Sequence, residues 1–134
     1  MMVSGRKPKP VRRHSVTPVH DWAEVPDVAF EGAPGLEGEW SESVRDWWAD
    51  VSSMPHCALW KRADWRFALD TALLASAFYG GDLRVGAELR RRETVMGMTA
   101  DARRDLRIRY VPPEVEEEKR SVTAIADYKK RLRR

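Results

Sequence analysis

The chain holds a single cysteine, Cys57, among 134 residues. One thiol excludes an intrachain disulfide and any zinc site built from several cysteines of one chain. Histidine is scarce as well, with three in the sequence, and neither HExxH nor paired CxxC spacing occurs. No apolar run approaches the ~18 residues of a membrane span. The basic start carries no apolar stretch of the signal-peptide kind, so neither an anchor nor a leader is expected. No lysine follows a glycine-rich loop in the Walker arrangement, which leaves nucleotide hydrolysis without machinery. Strand-period alternation of useful length is missing too, and the fold class expected is all-α. These absences suit a reducing cytoplasm, and no cofactor or metal is expected.

What the chain has in abundance is charge. Asp, Glu, Lys and Arg make up 34% of residues, and the net charge of +3 conceals a block pattern. Residues 1–20 carry Arg6, Lys7, Lys9, Arg12 and Arg13 and no acid. Residues 21–70 hold eleven acids against four bases, and residues 82–109 hold eight arginines against five acids. Glu114, Glu116, Glu117 and Glu118 then precede a basic end with Lys129, Lys130, Arg131, Arg133 and Arg134. Such blocks suit oriented electrostatic contacts or two different partners.

Three parts are expected. Residues 1–39 form a flexible arm, basic and then acidic, because Pro8, Pro10, Pro18, Pro26 and Pro34 deny a helix its donors. Trp22, Val28 and Phe30 are candidates to pin its acidic half. Residues 40–111 form a helical core. Trp40, Val44, Trp47 and Val51 share one face of a helix over 41–53, capped by Ser41. A second helix, about 63–79, is apolar nearly all round and stops at Gly80-Gly81. A soluble helix of that kind is buried between neighbours or completed by another subunit, so Trp65, Leu69, Leu73, Leu74 and Phe78 are the candidate oligomerisation residues. A third helix runs from Asp82 to about Met96, and a fourth over about 100–110 points Ala102, Leu106 and Tyr110 inward. Residues 112–134 form a charged helix over 114–132 and a basic tail, with Val115, Val122, Ile125 and Leu132 at heptad-like spacing.

Catalytic constellations are thin. His56-Cys57 lacks an orienting acid, and adjacent side chains diverge on any regular element, so packing explains them better than chelation or nucleophilic attack. Asp46 and Asp50 share a helix face suited to Mg²⁺, but a solvated acidic face accounts for them. Asp70, on the apolar helix, is expected to be buried against an arginine from the third or fourth helix. Most of the six tryptophans fall where a core would put them. The remaining signal is arginine: Arg84, Arg90, Arg91, Arg92, Arg103, Arg104 and Arg107 are candidate contacts to DNA phosphates. Lys7, Lys9, Arg12 and Arg13 of the arm join them.

The run 54–60 (MPHCALW), followed by DWRFALDTA at 64–72, ELRRRE at 88–93 and LRIRYV at 106–111, resembles the small terminase subunit of actinobacterial tailed phages and prophages. Trp22-Ala23-Glu24-Val25-Pro26 and Trp47-Trp48 fit the same pattern, and the resemblance covers roughly residues 21–113. It implies a noncatalytic helical protein of the host cytoplasm that assembles as a ring and recognises viral double-stranded DNA. It further implies recruitment and regulation of the large ATPase-nuclease subunit, with the portal as a further partner. The basic tail, Lys129, Lys130, Arg131, Arg133 and Arg134, would then be free for the large subunit. The helix-turn-helix that some relatives carry at the N-terminus has no counterpart in the Pro/Gly-rich first 39 residues. Two rivals stand beside this reading: a small dimeric helix-turn-helix regulator, and a small enzyme using Asp46/Asp50 or His56/Cys57.

Overall fold

The computed structural model describes residues 21–133. The expectations for Lys7, Lys9, Arg12, Arg13 and Arg134 fall outside the described residues. Strand β1 (Ala23–Pro26) leads through an irregular acidic segment to α1 (Glu42–Ser52). A 3₁₀ turn (Pro55–Leu59), α2 (Arg62–Tyr79) and a second 3₁₀ turn (Leu83–Val85) follow. The chain continues through α3 (Gly86–Val95), α4 (Ala100–Asp105), β2 (Ile108–Val111) and α5 (Pro113–Leu132).

Local chemistry sets most boundaries. Ser41 caps α1 by accepting from the Val44 amide, and Met54-Pro55 stops the helix two residues later. The Asp64 carboxylate accepts the Lys61 amide at 2.8 Å, closing the first turn of α2. At its far end Gly81 takes φ +110°, and the amides of Gly81 and Asp82 reach back to the carbonyls of Phe78 and Ala77. Ala68, Ala72 and Ala75 of α2 have no exposed surface, so α1 and α3 approach its backbone closely. Around that line of small residues sit Trp47, Trp48, Val51, Leu89 and Met96. An aromatic chain extends the core: Phe30 stacks on Trp65 at 5.7 Å, Trp65 meets Trp60 at 4.8 Å, Trp60 meets His56 at 6.0 Å, and His56 stacks on Tyr110 at 5.9 Å.

The fold is mostly helical, and four details depart from the all-α expectation. The fourth helix ends at Asp105 rather than near 110, because Arg107 turns into the left-handed region at φ +57° and Ile108-Arg109-Tyr110-Val111 continues as a strand. β-Branched and aromatic residues suit that strand, and Pro112 closes it. It pairs in parallel with β1, Ala23 opposite Ile108 and Val25 opposite Tyr110. The acidic segment expected to be irregular therefore contributes an ordered strand, with Val25 buried and Val28 exposed. Leu106, expected inside, is exposed. The third helix is broken, since residues 83–85 form the 3₁₀ turn before α3 begins.

Two short parallel strands are marginal alone. Side chains support this pair: Arg107 holds Asp21 at 2.5 Å, Arg109 lies 4.6 Å over Trp22, and Tyr110 packs on His56. The sheet is thus a clasp that ties the start of the described body to its end, across all the helices between.

Candidate functional site

Histidine 56 is fully buried where three segments meet. Its Nε2 donates to the Met96 carbonyl at 2.7 Å, which can only accept, so Nδ1 is left to accept the Tyr110 hydroxyl at 2.6 Å. Burial pushes its pKa below the ordinary 6.5, the Met96 carbonyl partly opposes that shift, and Arg103 adds to it. The ring is neutral at pH 7, and both nitrogens are engaged. Gly97 allows this approach: it takes φ +75°, and a Cβ there would lie 3.0 Å from His56 Nε2. Cys57 is buried beside it, its thiol donating to the Val51 carbonyl at 3.2 Å and pushed up to about 12 by desolvation. The packing reading of His56-Cys57 is the one this geometry supports. Among the described residues no three or more His, Cys, Asp or Glu side chains gather where they could hold a metal.

The arginines fall into two groups. Most pair with a nearby carboxylate. Arg84 donates from Nε and Nη2 to Asp82. Arg91 forks onto Glu88 at 2.9 and 2.7 Å, and Arg92 reaches the same carboxylate at 3.0 Å. Two guanidinium groups hold the Glu88 carboxyl down to about 2. Arg90 bonds Glu93 at 2.6 Å, Arg104 bonds Asp101, and Arg107 bonds Asp21. Several also pack on rings, Arg90 over Phe78 and Arg92 over Phe67. Arg103 and Arg109 have no carboxylate partner among the described residues. Arg103 instead donates to the carbonyls of Gly97 and Met98 and lies 4.9 Å over Tyr110, which makes it a staple of the α3–α4 turn.

The seven candidate arginines stand among five acids in the sequence, and the structure shows which of them pair: Asp82, Glu88, Glu93 and Asp101 each take a guanidinium group. Arg84, Arg90, Arg91, Arg104, Arg107 and Arg109 remain solvent-facing. Glu88 is outnumbered by Arg91 and Arg92, so that spot keeps a positive excess. Lys61, Arg62 and Arg66, exposed at the start of α2, drew no attention because acids dominate their neighbourhood; they make no ion pair among the described residues. Asp70 is exposed rather than buried against an arginine, because α2 turns it away from the alanine line. Asp46 and Asp50 are also exposed.

The candidate oligomerisation residues divide as well. Trp65, Leu69, Leu74 and Phe78 all pack partly against the core, while Leu73 is 62% exposed. Trp65 and Leu69 line an open groove of about 660 Å³ with Arg62, Arg66 and residues 32–34. A smaller cleft of about 250 Å³ lies between Trp60, Phe67, Val95 and Met96. For the rival helix-turn-helix regulator, α3 and α4 across Gly97 would be the pair of helices, but the second has six residues, Ala100–Asp105, too short to lie along a major groove as a recognition helix.

Taken together, these features define a small helical protein whose chemistry lies on its surfaces. A family model described as phage terminase small subunit matches residues 4–133, so the chain belongs to the phage terminase small subunit family. The family is generally non-catalytic. No curated protein and no solved structure matches the chain. No helix among the described residues is long and apolar enough to cross a membrane.

Proposed function

We propose that this chain recognises viral double-stranded DNA and recruits and regulates the large terminase subunit in the host cytoplasm, without catalysis of its own. Membership of the family across residues 4–133 carries the reading. The exposed guanidinium groups of Arg84, Arg91 and Arg104, with Lys7, Lys9, Arg12 and Arg13 of the N-terminal part, hold phosphates. Arg90, Arg92, Arg103 and Arg107 serve the fold first and the nucleic acid second, since each reaches a distant part of the body: Arg90 lies over Phe78, Arg92 over Phe67, Arg103 over Tyr110, and Arg107 bonds Asp21. The copies assemble as a ring through α2, with Trp65, Leu69 and Leu73 at the contact and Leu74 and Phe78 backing it. The basic end of α5 serves the large subunit or portal.

The test is DNA binding measured against salt for the wild type and for Arg84→Ala/Arg91→Ala. Each neutralised phosphate accounts for about 0.9 of the log–log slope, so the double variant should flatten it by about 2. An unchanged slope would move the DNA site off this face. Loss of large-subunit ATPase stimulation on truncation after residue 112 would support the role of the tail.

A further inference from the structure

The groove beside α2 joins an apolar floor to two cations. Trp65 and Leu69 are half-buried along it, the exposed Arg62 and Arg66 line it as well, and residues 32–34 complete it. Each pair lies four residues apart, about 6 Å along the helix axis, and the arginine row runs roughly 60° round the helix from the apolar row. Residues 32–34 are held in place from both directions. The Trp48 indole donates to the Pro34 carbonyl at 3.1 Å, and the Phe30 amide donates to the Ser53 carbonyl at 3.0 Å. The groove is therefore formed before anything enters it, as ligand sites generally are.

Its two guanidinium groups differ from those of α3 and α4. Arg90, Arg91, Arg92 and Arg104 each pair with a carboxylate three or four residues away. Arg66 has Asp70 at the same spacing, yet neither Arg62 nor Arg66 makes an ion pair among the described residues. No carboxylate lines the groove. Asp64 accepts the Lys61 amide and lines the cleft beside Phe67, while Glu31 and Asp70 are exposed outside the lining. A DNA duplex would meet the two cations but bring nothing apolar to Trp65 and Leu69. Phe30, Trp60 and Trp48 already surround Trp65, which leaves little platform for stacking a base. A peptide matches both rows, because in an extended chain every second side chain returns to the same side after about 6.7 Å. We propose that the groove docks a short extended segment of another protein in which acidic and large apolar residues alternate. Its carboxylates meet Arg62 and Arg66, and its apolar side chains cover Trp65 and Leu69. One consequence rests on the assembly reading above: a docked segment competes with a neighbouring copy for Trp65 and Leu69.

The test is fluorescence anisotropy of the full chain with a labelled peptide that alternates glutamate with leucine and phenylalanine. Binding should saturate and should weaken as salt rises. Arg62→Glu/Arg66→Glu changes two exposed side chains, so circular dichroism should be retained while affinity falls about tenfold or more. A peptide with lysine in place of glutamate should then bind the reversed variant better than it binds the wild type. Affinity unchanged by the reversal would overturn the site. Equal affinity for a peptide of the same composition, with its acids grouped in one block, would overturn the alternating occupant. So would loss of duplex DNA binding in the variant with no peptide binding to the wild type, which would make the arginines a nucleic-acid contact. In light scattering, the peptide should lower the mass of the assembled protein. A mass unchanged at peptide saturation would overturn the competition and move the contact between copies off Trp65 and Leu69, with the docking site left standing. A single chain at every concentration would overturn the assembly reading and the competition together, while the anisotropy still decides the groove.

Discussion

Between β1 and β2, the described buried side-chain nitrogens and oxygens all have hydrogen-bond partners; in α5, Val122, Ile125, Tyr128 and Leu132 face water beside exposed lysines. In the body, Trp47 gives its indole N–H to Glu93, Glu93 also takes Arg90, and His56 joins Met96 to Tyr110. Burial there leaves each polar group dependent on its partners within the body. From Val122 to Leu132 the four large apolar side chains of α5 are exposed, so they can exchange water for a partner surface. The contrast separates residues that hold the fold from residues available for assembly.

The largest expected effect breaks the body at its joint. His56→Ala leaves the Met96 carbonyl and the Tyr110 hydroxyl without their partner and opens a cavity, at a cost of about 3–4 kcal/mol. Thermal unfolding should show a midpoint lowered by roughly 10–15 °C. Gly97→Ala comes next. An alanine at φ +75°, with its Cβ 3.0 Å from the imidazole, should cost about 1–3 kcal/mol in urea unfolding. Ile125→Asp should leave the same midpoint in place at a concentration where the protein is a single chain. A large drop there would mean that α5 belongs to the body.

Arginine sharpens the comparison further. Arg103→Ala removes two bonds to carbonyls and a ring interaction, and should cost about 1–2 kcal/mol in urea unfolding. Arg91→Ala, on an exposed side chain whose pair with Glu88 is open to solvent, should leave stability nearly unchanged and alter mainly the salt dependence of DNA binding. Equal effects of the two on stability would erase the distinction between staple and surface cation.

The helices were legible because their signals are local. Ser41, Met54-Pro55 and Gly80-Gly81 each act within a few residues, and the structure places helix ends beside all three. The clasp was not legible. Ala23–Pro26 and Ile108–Val111 are four residues each, too short for a period to stand out, and their pairing spans the whole body. The same limit hid the fate of the arginines. Spacing showed that Glu88 lies three and four residues before Arg91 and Arg92, but the Arg107–Asp21 pair depends on the clasp. The role of Arg103 likewise depends on the turn at Gly97. Asp70 failed for a simpler reason: an apolar helix still has one exposed side.

The smallest effect is a slope against pH. His56 has its folded pKa depressed below the unfolded 6.5, so the unfolded chain binds a proton more readily. Stability from this group is therefore complete above pH 6.5, and it is lost as pH falls through the lowered folded value. Glu88 follows the same sign at a lower pH, holding until the medium approaches its pKa of about 2. Between pH 7 and 5, then, the ion pairs of α3 stay intact while the histidine joint weakens. Urea midpoints across that range should decline for the wild type and stay flatter for His56→Gln, whose amide cannot take up the proton. A decline of equal steepness in both would place the titrating group outside the joint, and the body would then lose the feature that most distinguishes it from α5.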